Sequence, residues 1–135
     1  MSYSYGKTSR ERLETCHPLL QELFNRVIKH TDTSIFCGER GEEAQTKAFE
    51  EGKSLAQYPE SSHNNSPSLA VDAGPYPEGY KSVPAFMALH DIVLRCWSQM
   101  KTGDYILVWG GDWDADGDYD DQKLFDPAHW EIRKV

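Results

Sequence analysis

Apolar residues repeat with helical spacing in two long segments of the chain. The first begins at Pro18 and continues to about residue 30, with leucine, phenylalanine, valine and isoleucine at three- and four-residue intervals. The second covers residues 83–100 and carries a similar apolar stripe. Both patterns predict helices that pack one face against a core. Two shorter helices are predicted, one from residue 10 after a capping hydroxyl residue and one over residues 42–52.

Short apolar runs between these helices have the length of strands. They cover residues 33–37, 69–73, 105–109 and 129–133. Because strands and helices do not alternate strictly, their order favours an α+β fold with helices packed on a small antiparallel sheet. Polar residues 57–68 are predicted to form a loop, and so is the acidic segment that follows residue 109.

Composition places the chain among folded globular proteins of one domain. It has 135 residues, of which 39% are hydrophobic and 27% are charged. The formal net charge is −8, and residues 104–135 hold nine acidic side chains but three basic ones. An acidic chain without a basic stripe is not suited to non-specific nucleic-acid binding.

Nothing in the sequence predicts export or membrane insertion. No apolar run approaches the roughly 18 residues of a transmembrane helix, and the first thirty residues lack the order of a signal peptide. The three cysteines are widely spaced and include no C-x-x-C pair, which favours reduced thiols over disulfides or a cysteine zinc site. We therefore expect a protein that is made in, and dissolved in, a cytoplasm.

Two histidines and one aspartate stand out as candidate metal ligands. His63 lies in the polar loop, Asp72 lies near the end of a predicted strand, and His129 begins another. Two histidines with one carboxylate are a common donor set for a catalytic zinc ion, which leaves a fourth position for water. Asp126, three residues before His129, lies in a turn from which it can reach that water without binding the metal. Taken singly each signal is weak, because a lone histidine is usually a surface or hydrogen-bonded residue.

In combination, these residues resemble a known family. The pattern S-x-H, then a strand A-V-D followed by a proline, then D-x-x-H-x-E, is similar to that of LAS-type zinc peptidases, which include D-alanyl-D-alanine carboxypeptidases and dipeptidases. Within them, the sequence most resembles small tailed-phage endolysins with L-alanyl-D-glutamate peptidase activity. The similarity runs along essentially the whole chain and includes the segments G-E-R, A-V-D-A-G-P-Y and G-G-D-W-D-A-D-G-D-Y.

The resemblance implies a role for each matching residue. His63, Asp72 and His129 are implied to hold zinc, and Asp126 is implied to act as the general base. Arg40, in the turn G-E-R, matches an arginine that stabilises the substrate carbonyl or carboxylate in relatives, although a turn position equally permits a plain surface arginine. A Lewis-acidic metal, a carboxylate base and a fixed cation are the groups that amide hydrolysis requires.

Two further residues are expected to support the site without binding the metal. Ser61 matches the serine two residues before the first histidine of the family pattern. Glu131 lies on the same face of its predicted strand as His129, so it is either the reserve base or a carboxylate that orients this histidine. The family commonly has the spacing H-x-x-G-x-x-D, whereas H-N-N-S-P-S-L-A-V-D is two residues longer. We expect the loop to bulge while Asp72 stays on its strand.

The acidic segment after residue 111 has the opening pattern of an EF-hand-type calcium loop. Its sequence D-W-D-A-D-G-D matches D-x-D-x-D-G-x, in which alternate aspartates bind calcium and the glycine permits a sharp turn. The expected calcium ligands are Asp112, Asp114, Asp116, Asp118 and Asp121. Asp121 is the candidate closing ligand, with Asp120 in reserve, because Lys123 occupies the place of the usual glutamate. A solvated acidic loop is the alternative, and the resemblance to phage endolysins implies that calcium is regulatory.

The predicted function is hydrolysis of the L-Ala–D-Glu bond in peptidoglycan stem peptides by a zinc-dependent, calcium-regulated endolysin. We expect a monomer with a single catalytic domain, residues 1–135, and no cell-wall-binding domain. The resemblance implies that it stays in the host cytoplasm until a membrane-permeabilising protein releases it. One alternative keeps the metal centre but cleaves D-Ala–D-Ala bonds as a carboxypeptidase or dipeptidase. Another is a non-enzymatic calcium-binding domain with incidental histidines, against which the histidine–aspartate set counts.

Overall fold

The computed structural model describes residues 3–111 and 126–135. Within these ranges the chain forms four α-helices and four β-strands. The helices are α1 (Lys7–Leu13), α2 (Pro18–Val27), α3 (Glu42–Glu50) and α4 (Val83–Ser98). The strands are β1 (Thr33–Cys37), β2 (Ala70–Pro75), β3 (Tyr105–Trp109) and β4 (His129–Lys134), and 3₁₀ turns cover Ser62–Asn64 and Gly79–Lys81. None of the helices in the described ranges has the length and apolar character that crossing a membrane requires.

The strands form one antiparallel sheet with the order β1-β2-β4-β3. β2 and β4 occupy its centre, and their register places Asp72 opposite His129 and Ala70 opposite Glu131. Side chains that face each other across antiparallel strands have Cβ atoms about 4.5–5.5 Å apart. The pairing therefore brings two distant segments of the sequence to one place. The predicted α+β fold is confirmed.

The core lies between the sheet and helices α2 and α4. Alternation along the strands directs one set of side chains into it. From the central strands this set comprises Val71, Ala73, Trp130 and Ile132, and from the helices Leu20, Leu23, Phe24, Val27, Leu89 and Val93. Burial of each large apolar side chain contributes about 1.5–3 kcal/mol. The alternate positions on the same strands, Asp72, His129 and Glu131, lie on the opposite face.

Several element limits differ from the sequence-based prediction: α2, α3 and α4 end at Val27, Glu50 and Ser98, two or three residues earlier than predicted. α1 begins three residues before its predicted start, because Ser9 does not cap it: the Ser9 hydroxyl instead accepts a hydrogen bond of 3.0 Å from the Ile35 amide. β2 continues to Pro75, past its predicted end, because β1 pairs with it as far as that residue. The predicted loop over residues 57–68 contains one of the two 3₁₀ turns.

The predicted calcium ligands fall in residues 112–125, outside the described part of the chain. They are Asp112, Asp114, Asp116, Asp118 and Asp121. The first described range ends at Gly111, after β3, and the second begins at Asp126, three residues before β4. The calcium site therefore remains a prediction.

Candidate functional site

His63, Asp72 and His129 meet at the two central strands. His63 comes from the first 3₁₀ turn, Asp72 from β2 and His129 from β4. Asp72 Oδ1 lies 3.1 Å from His63 Nε2 and 3.2 Å from His129 Nδ1, and the two ring nitrogens are 3.2 Å apart. The three predicted zinc ligands thus form a nearly equilateral triangle of donor atoms that can hold a metal ion.

The size of this triangle fits zinc. Zinc binds histidine nitrogen and carboxylate oxygen at about 2.0–2.1 Å, so two ligands of a tetrahedral ion lie about 3.3–3.4 Å apart. The observed separations are 3.1–3.2 Å. The donor atoms would therefore have to move apart by only about 0.2 Å to form one face of such a tetrahedron.

In each histidine, the ring nitrogen that faces away from the triangle makes a hydrogen bond that orients the ring. His63 Nδ1 lies 2.7 Å from the carbonyl oxygen of Gly38, and His129 Nε2 lies 2.8 Å from Glu131 Oε1. A carbonyl and a carboxylate accept hydrogen bonds, so a proton on each outer nitrogen is favoured, and a neutral ring can then offer the lone pair of its inner nitrogen to a metal ion. Such outer hydrogen bonds orient histidine ligands in metal sites. The donor set is therefore oriented as well as spaced for a metal ion.

The charges in the triangle favour a cation at its centre. Burial raises the pKa of Asp72, but its hydrogen bonds with His129 and His63 hold this pKa well below the ordinary range. Burial lowers the pKa of His63, but the hydrogen bond with Asp72 and the charge of that carboxylate raise it to about 10. A proton and a metal ion compete for the same lone pairs. The carboxylate and the two rings therefore stabilise positive charge between them.

Glu131 lies behind His129 with both carboxylate oxygens engaged. Oε1 contacts His129 and accepts a hydrogen bond of 3.1 Å from the Ser62 hydroxyl, while Oε2 accepts one of 2.8 Å from Arg133 Nε. Burial raises the pKa of Glu131, but His129 and Arg133 lower it to about 2. Glu131 therefore stays ionised, on the far side of His129 from the triangle. Of its two predicted roles, this geometry favours orientation of the histidine over general-base catalysis.

Asp126 occupies the first position of a β-turn that leads into β4. The His129 amide donates a hydrogen bond of 3.1 Å to the Asp126 carbonyl oxygen, and Pro127 fills the second position, where proline is favoured. This turn explains the three-residue spacing between Asp126 and His129. Burial and then the charge of Asp72 raise the pKa of the Asp126 carboxyl group. Asp126 thus lies within electrostatic reach of the triangle without being one of its three donors.

Gly110 and Asp126 hold the two ends of the acidic segment together. The Asp126 amide donates a hydrogen bond of 3.0 Å to the Gly110 carbonyl oxygen, and the Gly110 amide donates one of 2.7 Å to the carbonyl oxygen of His129. A Cβ atom on Gly110 would collide with the Asp126 carbonyl oxygen, so the approach requires glycine. These contacts fix the backbone of the candidate base beside the end of β3.

Arg40 borders the triangle and is anchored by a buried glutamine. Its Nη2 lies 3.5 Å from Asp72 Oδ2, and its Nη1 donates a hydrogen bond of 2.9 Å to Gln45 Oε1. Gln45 is fully buried, and its Nε2 donates to the Ala56 carbonyl oxygen at 2.7 Å and to the Ser54 hydroxyl at 3.0 Å. Gln45 is not predictable from the sequence, because a glutamine in a largely polar helix carries no signal that it is buried.

The turn that carries His63 is joined to the turn that carries Arg40. The Arg40 amide donates a hydrogen bond of 2.7 Å to the His63 carbonyl oxygen, and Asn64 Nδ2 donates one of 2.9 Å to the Arg40 carbonyl oxygen. Ser61 caps the 3₁₀ turn, since its hydroxyl accepts a hydrogen bond of 3.2 Å from the His63 amide. Ser61 thus contacts the backbone of His63 and not its ring. The neighbouring Ser62, whose hydroxyl reaches the site, was not predicted.

The two additional residues between His63 and Asp72 lie in the loop before β2. Residues 65–67 are exposed, and the Leu69 amide closes the loop with a hydrogen bond of 3.1 Å to the Ser62 carbonyl oxygen. Asp72 lies within β2, where the pairing with β4 fixes its position. The expected loop, with Asp72 retained on its strand, is what the structure contains.

Comparisons with known proteins identify relatives along almost the whole chain. The family model described as phage L-alanyl-D-glutamate peptidase matches residues 1–133. The L-alanyl-D-glutamate peptidase of Escherichia phage T5 is 28% identical over 140 residues, which cover 98% of this chain and 99% of the relative. The solved structure of the L-Ala D-Glu endopeptidase ChiX of Serratia marcescens matches with a TM-score of 0.71 at 21% identity, over 96% of this chain and 90% of ChiX. At that identity, the structural match supports the shared fold.

Proposed function

The chain belongs to the family of phage L-alanyl-D-glutamate peptidases, and we propose that it is a zinc-dependent member that hydrolyses the L-Ala–D-Glu bond of peptidoglycan stem peptides. The observation that supports zinc is the triangle of His63, Asp72 and His129, with edges of 3.1–3.2 Å and both outer ring nitrogens held. The bond is supported by the family description and by the phage T5 relative, which both name it. Cleavage of D-Ala–D-Ala bonds has no comparable support.

Each of the described side chains is assigned one role in amide hydrolysis. His63, Asp72 and His129 would hold the zinc ion, which would act as a Lewis acid toward a water molecule and the substrate carbonyl. Asp126 accepts a proton from the attacking water and returns it to the leaving amine, a role that suits a carboxylate whose pKa is raised by burial. Arg40, held by Gln45, places its positive charge beside the oxyanion that develops on the substrate. Glu131 keeps His129 in its binding orientation.

Digestion of purified peptidoglycan tests the proposed bond. Zinc-loaded protein should generate new amino termini on glutamate and release no free D-alanine. Release of D-alanine without new glutamate termini would identify the carboxypeptidase alternative instead. A zinc-loaded protein that produced neither product would contradict the peptidase assignment.

The substitution His129→Ala tests the metal site. It removes one of the three donors, so we expect both bound zinc and activity to be lost while circular dichroism remains that of the folded protein. Elemental analysis of the purified variant measures the zinc. Full zinc occupancy in this variant would show that the ligands have been assigned wrongly.

The substitution Asp126→Ala tests whether Asp126 acts as the general base and not as a zinc ligand. Loss of a general base typically reduces kcat by about 10²–10⁴-fold, and we expect zinc to be retained because Asp126 is not one of the clustered donors. The matched control is Asp104→Ala, which removes an exposed aspartate near β3. Loss of zinc from the Asp126 variant, or hydrolysis at the wild-type rate, would transfer the role of base to Glu131.

A regulatory calcium site is the second part of the proposal. We propose that calcium binding to Asp112, Asp114, Asp116, Asp118 and Asp121 raises activity by ordering the acidic loop, which would position Asp126 and His129 for catalysis. The support is the D-x-D-x-D-G-x pattern and the contact of Asp126 with Gly110, where the acidic segment begins and ends. Zinc-loaded protein should become more active as calcium is added back after selective chelation. Flat activity, with no calorimetric calcium signal that Asp114→Ala abolishes, would refute this part.

The biological role proposed for this activity is host lysis. We propose that a membrane-permeabilising protein gives this endolysin access to the cell wall. Expression inside bacteria should therefore cause lysis only when such a protein is co-expressed, and the His129→Ala variant should cause none in either case. Lysis by the protein alone would contradict the proposed release from the cytoplasm.

A further inference from the structure

An aromatic cluster of Phe36, Tyr80 and Phe86 includes one ring that is largely open to solvent. Tyr80 lies in the second 3₁₀ turn, between β2 and α4, and is 63% exposed. Its ring stacks on Phe36 with a centroid distance of 5.1 Å and contacts Phe86 at 5.7 Å. These two contacts hold the ring and leave much of it uncovered. A ring held in this way offers a preformed apolar surface to a ligand.

Gly74 brings this cluster next to the metal-binding triangle. A Cβ atom on Gly74 would lie 2.6 Å from the ring of Phe36 and 3.1 Å from that of Phe86, so both rings pack against the bare backbone of β2. Gly74 follows Asp72 by two residues, and alternation along a strand puts both on the same face. Phe36 immediately precedes Cys37, which pairs with Asp72 across the two strands. The aromatic cluster and the triangle are therefore neighbours on one face of the sheet.

The electrostatic surroundings of Tyr80 restrict what can bind there. Burial raises the pKa of its hydroxyl, and the negative charges of Asp72 and Asp126 raise it further. The phenol is neutral at neutral pH, and the face of its ring carries the negative end of the aromatic quadrupole, which disfavours an anion packed against it. An uncharged group with an apolar face fits this surface better than a carboxylate does.

We propose that Tyr80 positions the substrate by packing against its muramic acid–lactyl end, an inference that rests on the proposed function. On the amino side of an L-Ala–D-Glu bond, peptidoglycan offers uncharged groups: the alanine methyl, the lactyl methyl and the C–H face of the sugar ring. On the carboxyl side it carries the D-Glu carboxylate and the charged groups of the third residue. The amino side therefore matches the open ring, and the carboxyl side does not.

Two substrates with the same scissile bond test this assignment. One is a muramyl peptide, and the other is the same stem peptide with an acetylated amino terminus in place of the sugar and lactyl group. Tyr80→Ala should raise KM for the muramyl peptide by about three- to tenfold, the size expected of one aromatic contact. It should leave kcat for both substrates, and KM for the sugar-free peptide, within about twofold. Tyr80→Phe should match the wild type on both, because it keeps the face of the ring.

The matched control is Tyr76→Ala, which removes another tyrosine, 58% exposed, from the turn before Tyr80. It should change neither KM, and circular dichroism should be the same for all variants. If Tyr80→Ala changed KM equally for both substrates, or changed it for neither, the inference would be overturned. Cleavage of the two substrates by the wild type would still support the proposed function. A fall in kcat for Tyr80→Phe would also overturn it, since the hydroxyl would then act in the chemistry. Failure of the wild type to cleave either peptide would refute the proposed function itself.

Discussion

The candidate site is assembled from two regions that hold their side chains by different means. Asp72, His129 and Glu131 form a strand half, which is fixed by the backbone pairing of β2 with β4. Arg40 and His63 form a turn half, which is fixed by single hydrogen bonds between side chains and backbone groups. A substitution in the strand half removes a chemical group but leaves the register of the strands. In the turn half, a substitution that touches no ligand can still displace one.

The two halves also differ in how they orient their histidines. His129 is oriented by Glu131, a charged side chain two residues along the same strand. His63 is oriented by the carbonyl group of Gly38, a neutral backbone acceptor from a different segment. A hydrogen bond to an ionised acceptor is about twice as strong as a neutral one. The strand half should therefore lose metal affinity when charge is removed, and the turn half when backbone geometry changes.

The largest effect is expected at Asp72, where the two halves meet. Asp72→Asn keeps the shape of the side chain but removes the negative charge that faces both histidine rings. Removing a hydrogen-bond partner of a metal ligand typically lowers metal affinity by about 10–100-fold. Removing the charge of the ligand itself should therefore lower zinc affinity by more than about 100-fold. Competition with a chromophoric chelator measures the zinc Kd. A value within tenfold of the wild type would mean that Asp72 does not bind the metal.

A smaller loss of zinc affinity is expected when the strand half keeps its zinc ligands but loses the charge of Glu131, which contacts His129. Glu131→Gln should weaken zinc binding by about 10–100-fold, with little change in thermal stability because the pairing of β2 with β4 is unaffected. Arg133→Gln is the matched control, since Arg133 contacts only the other carboxylate oxygen and is half exposed. Its zinc Kd should stay within about threefold of the wild type. Equal losses in the two variants would assign the effect to the ion pair and not to the orientation of His129.

The strand half could largely be predicted from the sequence. The limits of β1 and β3 agree with their apolar runs, and Asp126 followed by Pro127 is a recognisable turn signal before His129. Alternation along the strand predicts that Glu131 and His129 share a face, and the two side chains are in contact. These predictions succeeded because strand periodicity and turn composition are local properties, which side-chain identity determines over a few residues.

The turn half could be predicted only in part. The donor set of two histidines and an aspartate predicts His63, and the resemblance to a family implies Arg40, but neither predicts the groups that anchor these two residues. The Gly38 carbonyl is a backbone group, which every residue has, and the burial of Gln45 depends on packing against residues 54–56. Ser61 and Ser62 are adjacent, and it is the Ser62 hydroxyl that contacts Glu131. The sequence pattern does not show which of these two hydroxyl groups points toward the site.

In the turn half, we expect the clearest change in stability from Gly38→Ala. A Cβ atom there would collide with the Arg12 carbonyl oxygen and the Thr15 hydroxyl, so the backbone that holds His63 must shift. Overpacking of this kind costs about 1–3 kcal/mol in the free energy of unfolding, and zinc affinity should fall although no ligand has changed. Gly41→Ala is the control, because nothing lies within 4 Å of its Cβ position; loss of a glycine cap there should cost less than about 1 kcal/mol. Equal stability of the two variants would contradict the idea that the turn half depends on this contact.

The smallest effect is expected at Ser62, whose hydroxyl connects the turn half to Glu131 of the strand half over 3.1 Å. Ser62→Ala should cost about 1 kcal/mol in the free energy of unfolding, and less than about tenfold in zinc affinity, because His129 still orients against Glu131. A double-mutant cycle with Glu131→Ala isolates the contact, and residues in contact typically show coupling energies of about 0.5–3 kcal/mol. If the hydroxyl connects the two halves through Glu131, Ser62→Ala should have little further effect once that carboxylate is gone. Additive losses within experimental error would mean that this hydroxyl does not couple the two halves, which would then be joined by the contacts of His63 with Asp72 and His129.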